Sequence, residues 1–167
     1  MITSAVRGVV VTALATTLAL LPTSAQAEQK DEDNDIEKVE LVGINRVATW
    51  PSLDGVVGST WTTPLNLYTR HKAKKTGKTE LRYAGDGESE CDVVQARAQA
   101  VTAQCTRVLR LKKGTLTLSD MVDYRPLQRV TAKTAIVGGT GHYRSAYGDG
   151  YITLDGHRTH IVLNVDE

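Results

Sequence analysis

Three groups of residues in this chain have types and spacings that chemistry uses: a glycine cluster, four histidines and two cysteines. The glycines sit in AIVGGTGHYRSAYGDGYITL, residues 135–154, where GGTG suits a phosphate cradle, a nucleotide fingerprint or a tight turn between strands. A dinucleotide fingerprint needs G-x-G-x-x-G, its last glycine letting a helix pack closely on the strand. Arg144 stands at that last position, and strand-like sequence follows it. A P-loop fails as well, because GK[ST] is absent and no helix N-terminus follows to hold phosphate. The turn is left, in which glycine adopts backbone angles closed to other residues.

Metal and acid-base constellations are no better supported. His157 and His160 are three apart, which on a strand puts their rings on opposite faces, and further ligands are not in evidence. Asp31, Asp33 and Asp35 alternate like the start of a calcium loop, but Ile36 replaces the glycine of the sharp turn and Val42 the bidentate glutamate. No metal is expected. A Ser-His-Asp triad has no GxSxG elbow behind it. Cys91 and Cys105 make an even count, which favours a disulfide over a nucleophile or ligand. The bridge would close a loop of about 15 residues and contribute about 3 kcal/mol through the unfolded chain.

The elements that must position these groups begin with an export signal. Arg7, the apolar run VVVTALATTLALLP and the small residues Ala25 and Ala27 predict a secretory segment over 1–27, cleaved after Ala27, rather than a stable membrane anchor. Export fits the disulfide, since exported chains meet oxidising conditions. Removing that segment takes Arg7 and no acid from 20 basic and 19 acidic residues, so the remainder is formally neutral. Nucleic acid is therefore not an expected partner. The charged stretch EQKDEDNDIEK, taken as a leader over 28–38, has too little apolar surface to order itself. About 140 residues then remain for one domain.

From 39 to 167 the pattern has period two, with runs rich in Val, Ile, Leu, Thr and Tyr between Gly, Asp, Asn and Pro. STWTTPLNLYTRH and KTELRYAG flank the basic tip KAKKTG as one hairpin. The basic cluster Arg70 to Lys78 reads as a solvated edge device more than a phosphate-binding patch. ECDVVQARAQAVTAQCTRVLRL reads as a second hairpin, placing Cys91 and Cys105 on neighbouring strands. Gln95 to Ala103 has helical propensity, yet its flanks favour strands or a loop. With GTLTLSDMVDY, VTAKTAIVG, GDGYITL and THIVLNV, seven or eight strands and no long helix predict an all-β barrel or sandwich.

The order of these pieces resembles the allene oxide cyclase and dirigent superfamily. AIVGGTGHYRSAYGDGYITL is similar to its signature of a buried strand, a GG[TS]G turn, an aromatic residue, A-x-G and the next strand. LNLYTR resembles the family's KLY strand, ECDVV its GLCVV and GTLTLSD its HLSVQG. The resemblance implies an eight-stranded antiparallel β-barrel with an apolar cavity, often trimeric and needing no cofactor. It also implies ring closure of an unsaturated substrate, or steering of radical coupling. Confinement of one conformer would supply the rate effect.

Residue by residue, the family's E-I-N motif falls on Gly43, Ile44 and Asn45, so Asn45 is the candidate polar group and the catalytic glutamate is replaced by Gly43. Glu40 lies on the opposite strand face. The family's proline has a near match in Pro51, its asparagine a shifted one in Asn66, and its pocket cysteine falls on Cys91. Arg144 and Tyr147 match the dirigent style of turn. The expected function is that of an exported cyclase or stereo-directing barrel acting on a small apolar molecule, with Asn45, Asn66, Tyr68, Tyr83 and Tyr147 as pocket residues. Its rival is a non-catalytic, lipocalin-like binder.

Overall fold

The computed structural model describes residues 36–47, 56–74, 76–125 and 127–166. The expected signal segment, most of the acidic leader and Pro51 lie outside the described residues. The chain forms eight strands: β1 Glu37–Asn45, β2 Thr60–Lys72, β3 Thr79–Arg97, β4 Ala100–Leu111, β5 Gly114–Tyr124, β6 Val130–Gly141, β7 Tyr147–Asp155 and β8 Arg158–Asp166. Each pairs antiparallel with the next, and β1 pairs with β8 from Glu37↔Val165 to Ile44↔Arg158, closing the barrel. Closure leaves the sheet without a continuous free edge.

Alternation sets which side chains enter the barrel. Leu65 and Leu67 on β2, Leu109 on β4, Leu116 and Leu118 on β5, Ile152 on β7, and Ile161 and Leu163 on β8 meet in one buried cluster. Each such side chain contributes about 2 kcal/mol by leaving water. The interior at this level is therefore filled by side chains, as small barrels allow, in place of the apolar cavity that the family resemblance implied.

Two stretches with turn-like composition are strand instead. KTELRYAG and ECDVVQ are one strand, β3, because AGDGE between them forms a bulge and not a reversal: Leu67 pairs with Gly85 and Tyr68 with Tyr83, leaving Ala84 as the extra residue. Gly85 has φ +154°, and a Cβ there would stand 2.0 Å from the Arg110 carbonyl oxygen. GGTG is likewise the bulged end of β6, running beside β5 from Thr117↔Gly138 to Gly114↔Gly141. The reversal comes after it, at residues 142–146, where Tyr143 folds back over Gly139 and is buried.

The disulfide joins Cys91 and Cys105, direct partners on β3 and β4 whose Cα atoms are 4.1 Å apart. Both cysteines face the interior and are buried. Replacing both with serine is expected to lower stability by about 3 kcal/mol, read as a lower urea midpoint, with a steeper slope as the unfolded chain expands. An unchanged midpoint would show that the bridge adds nothing to the ladder.

Candidate functional site

Charged residues occupy the buried phase of two adjacent strands. Arg107 follows Cys105 and precedes Leu109 on β4, and Asp120 follows Leu118 on β5, so both point inward with the core. Their side chains are 3% and 0% exposed. The Arg107 guanidinium donates from Nε to Asp120 Oδ2 at 2.7 Å, from Nη2 to Oδ1 at 2.9 Å, and from Nη1 to Ser89 Oγ at 2.7 Å. Thr134 donates its hydroxyl to the Ser119 carbonyl at 3.3 Å and lies 3.5 Å from Asp120 Oδ2. Two charges this deep are held by fork-to-fork geometry, since a buried ion without a partner costs several kcal/mol.

Beside this pair is a cavity of about 40 Å³, lined by Asn45, Trp61, Thr63, Ser89, Arg107 and Tyr124 among others. That is room for about one water. Asn45 Oδ1 is buried and accepts no hydrogen bond from the described residues. Burial holds the Tyr124 phenol above its ordinary range, so it stays protonated at neutral pH. The Gly43 backbone turns toward Leu65 and Thr159, both buried. The position taken by the family's glutamate is thus interior here, and its carboxylate is absent.

At the other end of the barrel the wall opens. β1 pairs with β2 at four positions, Val42↔Tyr68 to Asn45↔Leu65, while β2 continues along β3 to Lys72↔Thr79. The strands part there, leaving an open cleft of about 640 Å³. Its apolar floor is Val39, Leu41, Ala84, Leu111 and Tyr143. Its wall includes Lys38, Arg70, Arg82, Lys112 and Lys113 beside Glu37 and Glu40.

Glu37 ties this end together. Its carboxylate accepts from Lys113 Nζ at 2.9 Å and from His142 Nε2 at 3.0 Å. Those two hydrogen bonds hold the Glu37 pKa below the usual carboxylate value, Lys113 first and His142 second. A depressed folded pKa adds stability above the unfolded value and loses it as pH falls through the folded one. The Glu37 side chain is 34% exposed, so the contribution is below about 1 kcal/mol. Glu37→Gln is expected to flatten slightly the loss of stability below pH about 4, measured by urea melts across that range. An unchanged acid slope would remove Glu37 as its source.

The five pocket residues expected from the sequence are not brought together. Asn45 lines the inner cavity and Tyr83 the cleft. Tyr68 and Tyr83 meet edge to face at 5.8 Å on the outer side, where Tyr83 is 65% exposed. Asn66 alternates outward between Leu65 and Leu67. Tyr147 is 56% exposed, and its bond to Asp166 raises the phenol's pKa. Arg107 and Asp120 were missed, although their phase relative to Cys105 and Leu118 was a usable signal. Among the described residues, no group of three or more His, Cys, Asp or Glu could hold a metal ion.

No protein-family model matches the chain, and no curated protein matches its sequence. Its fold is similar to a solved structure titled pyocyanin demethylase, with a TM-score of 0.55 and 18% identity over 78% of this chain and 100% of that one. Likeness at that identity establishes the barrel fold and nothing finer.

Proposed function

We propose that this protein is an exported barrel that holds a small, largely apolar molecule in the cleft between β1 and the β2–β3 hairpin, a lipocalin-like role. The observation that carries the reading is the contrast in volume: about 640 Å³ in the cleft against about 40 Å³ in the inner cavity. Ligand pockets run from about 300 Å³ upward. The disulfide fits a life outside the cell, and the sequence supports cleavage after Ala27. Assembly as a trimer belongs to the same proposal, and native mass spectrometry reads it together with any bound molecule.

The test is titration with N-phenyl-1-naphthylamine, a neutral apolar dye that brightens when it leaves water. Ala84→Trp and Thr69→Trp, which narrow the cleft from β3 and β2, are each expected to weaken binding at least about tenfold, whereas Asn45→Ala leaves it intact. A folded Thr69→Trp or Ala84→Trp protein that still binds fully overturns the cleft assignment.

A second reading is the cofactor-independent cyclase or stereo-directing protein. It is favoured by Asn45 Oδ1, which is buried and has no hydrogen-bond partner among the described residues, and by Arg107 on the same cavity. It ranks second because that cavity is water-sized. Loss of dye binding in Asn45→Ala but not in the cleft variants would reverse the order. The neighbour's title names a demethylase of pyocyanin, which is compatible with either reading.

A further inference from the structure

We infer that the cleft's ligand is an organic anion, an apolar body ending in a carboxylate, sulfonate or sulfate, and that Arg82 and Lys112 receive the charged end. This rests on the cleft-binding reading above and adds to it the ligand's chemical class. Five Lys and Arg side chains line the cleft against two glutamates. Three of the five are already engaged: Lys38 with Glu40 at 2.7 Å, Lys113 with Glu37 at 2.9 Å, and Arg70 with His160 Nδ1 at 2.9 Å. Both glutamates are thereby used.

Arg82 and Lys112 make no ion pair with the described residues, and His160 supplies Arg70 with a hydrogen bond but no counter-charge, so the surplus of positive charge resides on Arg82, Lys112 and Arg70, of which Arg70 is already tied to His160. Their positions follow from the strands. Arg82 pairs with Thr69 one step outside the Tyr68↔Tyr83 rung, in the phase that continues the barrel's inward face. Lys112 follows Leu111, whose partner Gly85 is the last β3–β4 rung at this end. The two cations thus flank one wall, above the apolar floor of Ala84 and Leu111. Arg82 offers a planar fork matched to two oxygens, and Lys112 a point charge.

A cationic ligand would meet the same surplus as repulsion. A neutral one would leave both cations beside an apolar body with no counter-charge. An anion on an apolar body satisfies floor and wall at once, and its charge-assisted hydrogen bonds are stronger where a floor excludes water.

The experiment compares two dyes of one skeleton, neutral N-phenyl-1-naphthylamine and its sulfonate, 1-anilinonaphthalene-8-sulfonate, titrated into the disulfide-bonded protein at low salt. The sulfonate is expected to bind about tenfold more tightly. In Arg82→Gln/Lys112→Gln the ratio of the two affinities falls to about one, and in the wild type it falls toward one as salt is raised. Equal affinities in the wild type, or a preference that survives the double substitution, overturn the anion assignment while the cleft reading stands. Sulfonate binding that persists in folded Thr69→Trp places the dye elsewhere and overturns the assignment too. If neither dye binds, the cleft reading falls and takes this inference with it.

Discussion

Replacing Asp120 with alanine is expected to cost about 3 to 5 kcal/mol, a large share of the 5 to 15 kcal/mol that holds a typical domain folded. The substitution strands the Arg107 guanidinium, 3% exposed, with Ser89 as its remaining side-chain acceptor. The cost comes from an ion left buried without a counter-charge, more than from the lost contact itself. Arg107→Met with Asp120→Leu removes both charges and fills much the same space, and is expected to recover most of the loss. Urea unfolding of the three proteins measures this. Recovery in the double variant marks the pair as mutually necessary and jointly dispensable for stability. A double variant as unstable as the single one would mean that the Ser89 hydroxyl, left without the Arg107 donor, dominates the cost.

The second large effect is expected at Gly139. A Cβ there would lie 2.3 Å from the Tyr143 carbonyl oxygen and 2.5 Å from that of Thr115. Both are backbone atoms, so no rotamer relieves the overlap, and either the 142–146 reversal lifts or the β5–β6 ladder opens. Gly139→Ala should therefore cost about 3 kcal/mol or more. It should also weaken dye binding, because Tyr143 belongs to the cleft floor. Gly43→Ala is the control: its added Cβ would meet Leu65 and Thr159 at 3.5 Å, an ordinary contact, and should be close to neutral. Equal stability of the two alanine variants, measured by thermal melts, would show that the reversal is not held against Gly139.

The cleft and the inner pair differ in how they were encoded. Arg82 and Lys112 were visible as charges, but nothing in a linear sequence shows that β1 leaves β2 after four rungs and lets them line one opening. Asn45 was found through a motif and is interior. Asn66 and Tyr68 were drawn from the same strand and stand outside, because one-residue steps along a strand change faces. Tyr147 begins β7, just beyond the reversal at residues 142–146, and its position depended on where GGTG ended and the turn began.

Period two, turn residues and the even cysteine count were enough by themselves to determine an all-β chain with a Cys91–Cys105 bridge, because alternation and disulfide pairing are properties of neighbouring strands. Inward or outward phase was also written there for every strand with a recognisable apolar face. The eight-stranded barrel was implied by the order of the motifs, and closure is observed; what only the tertiary structure decided was the two glycine bulges and the parting of β1 from β2. These depend on strand stagger around the whole barrel, and stagger is fixed by how eight faces pack together, which no single strand's pattern contains.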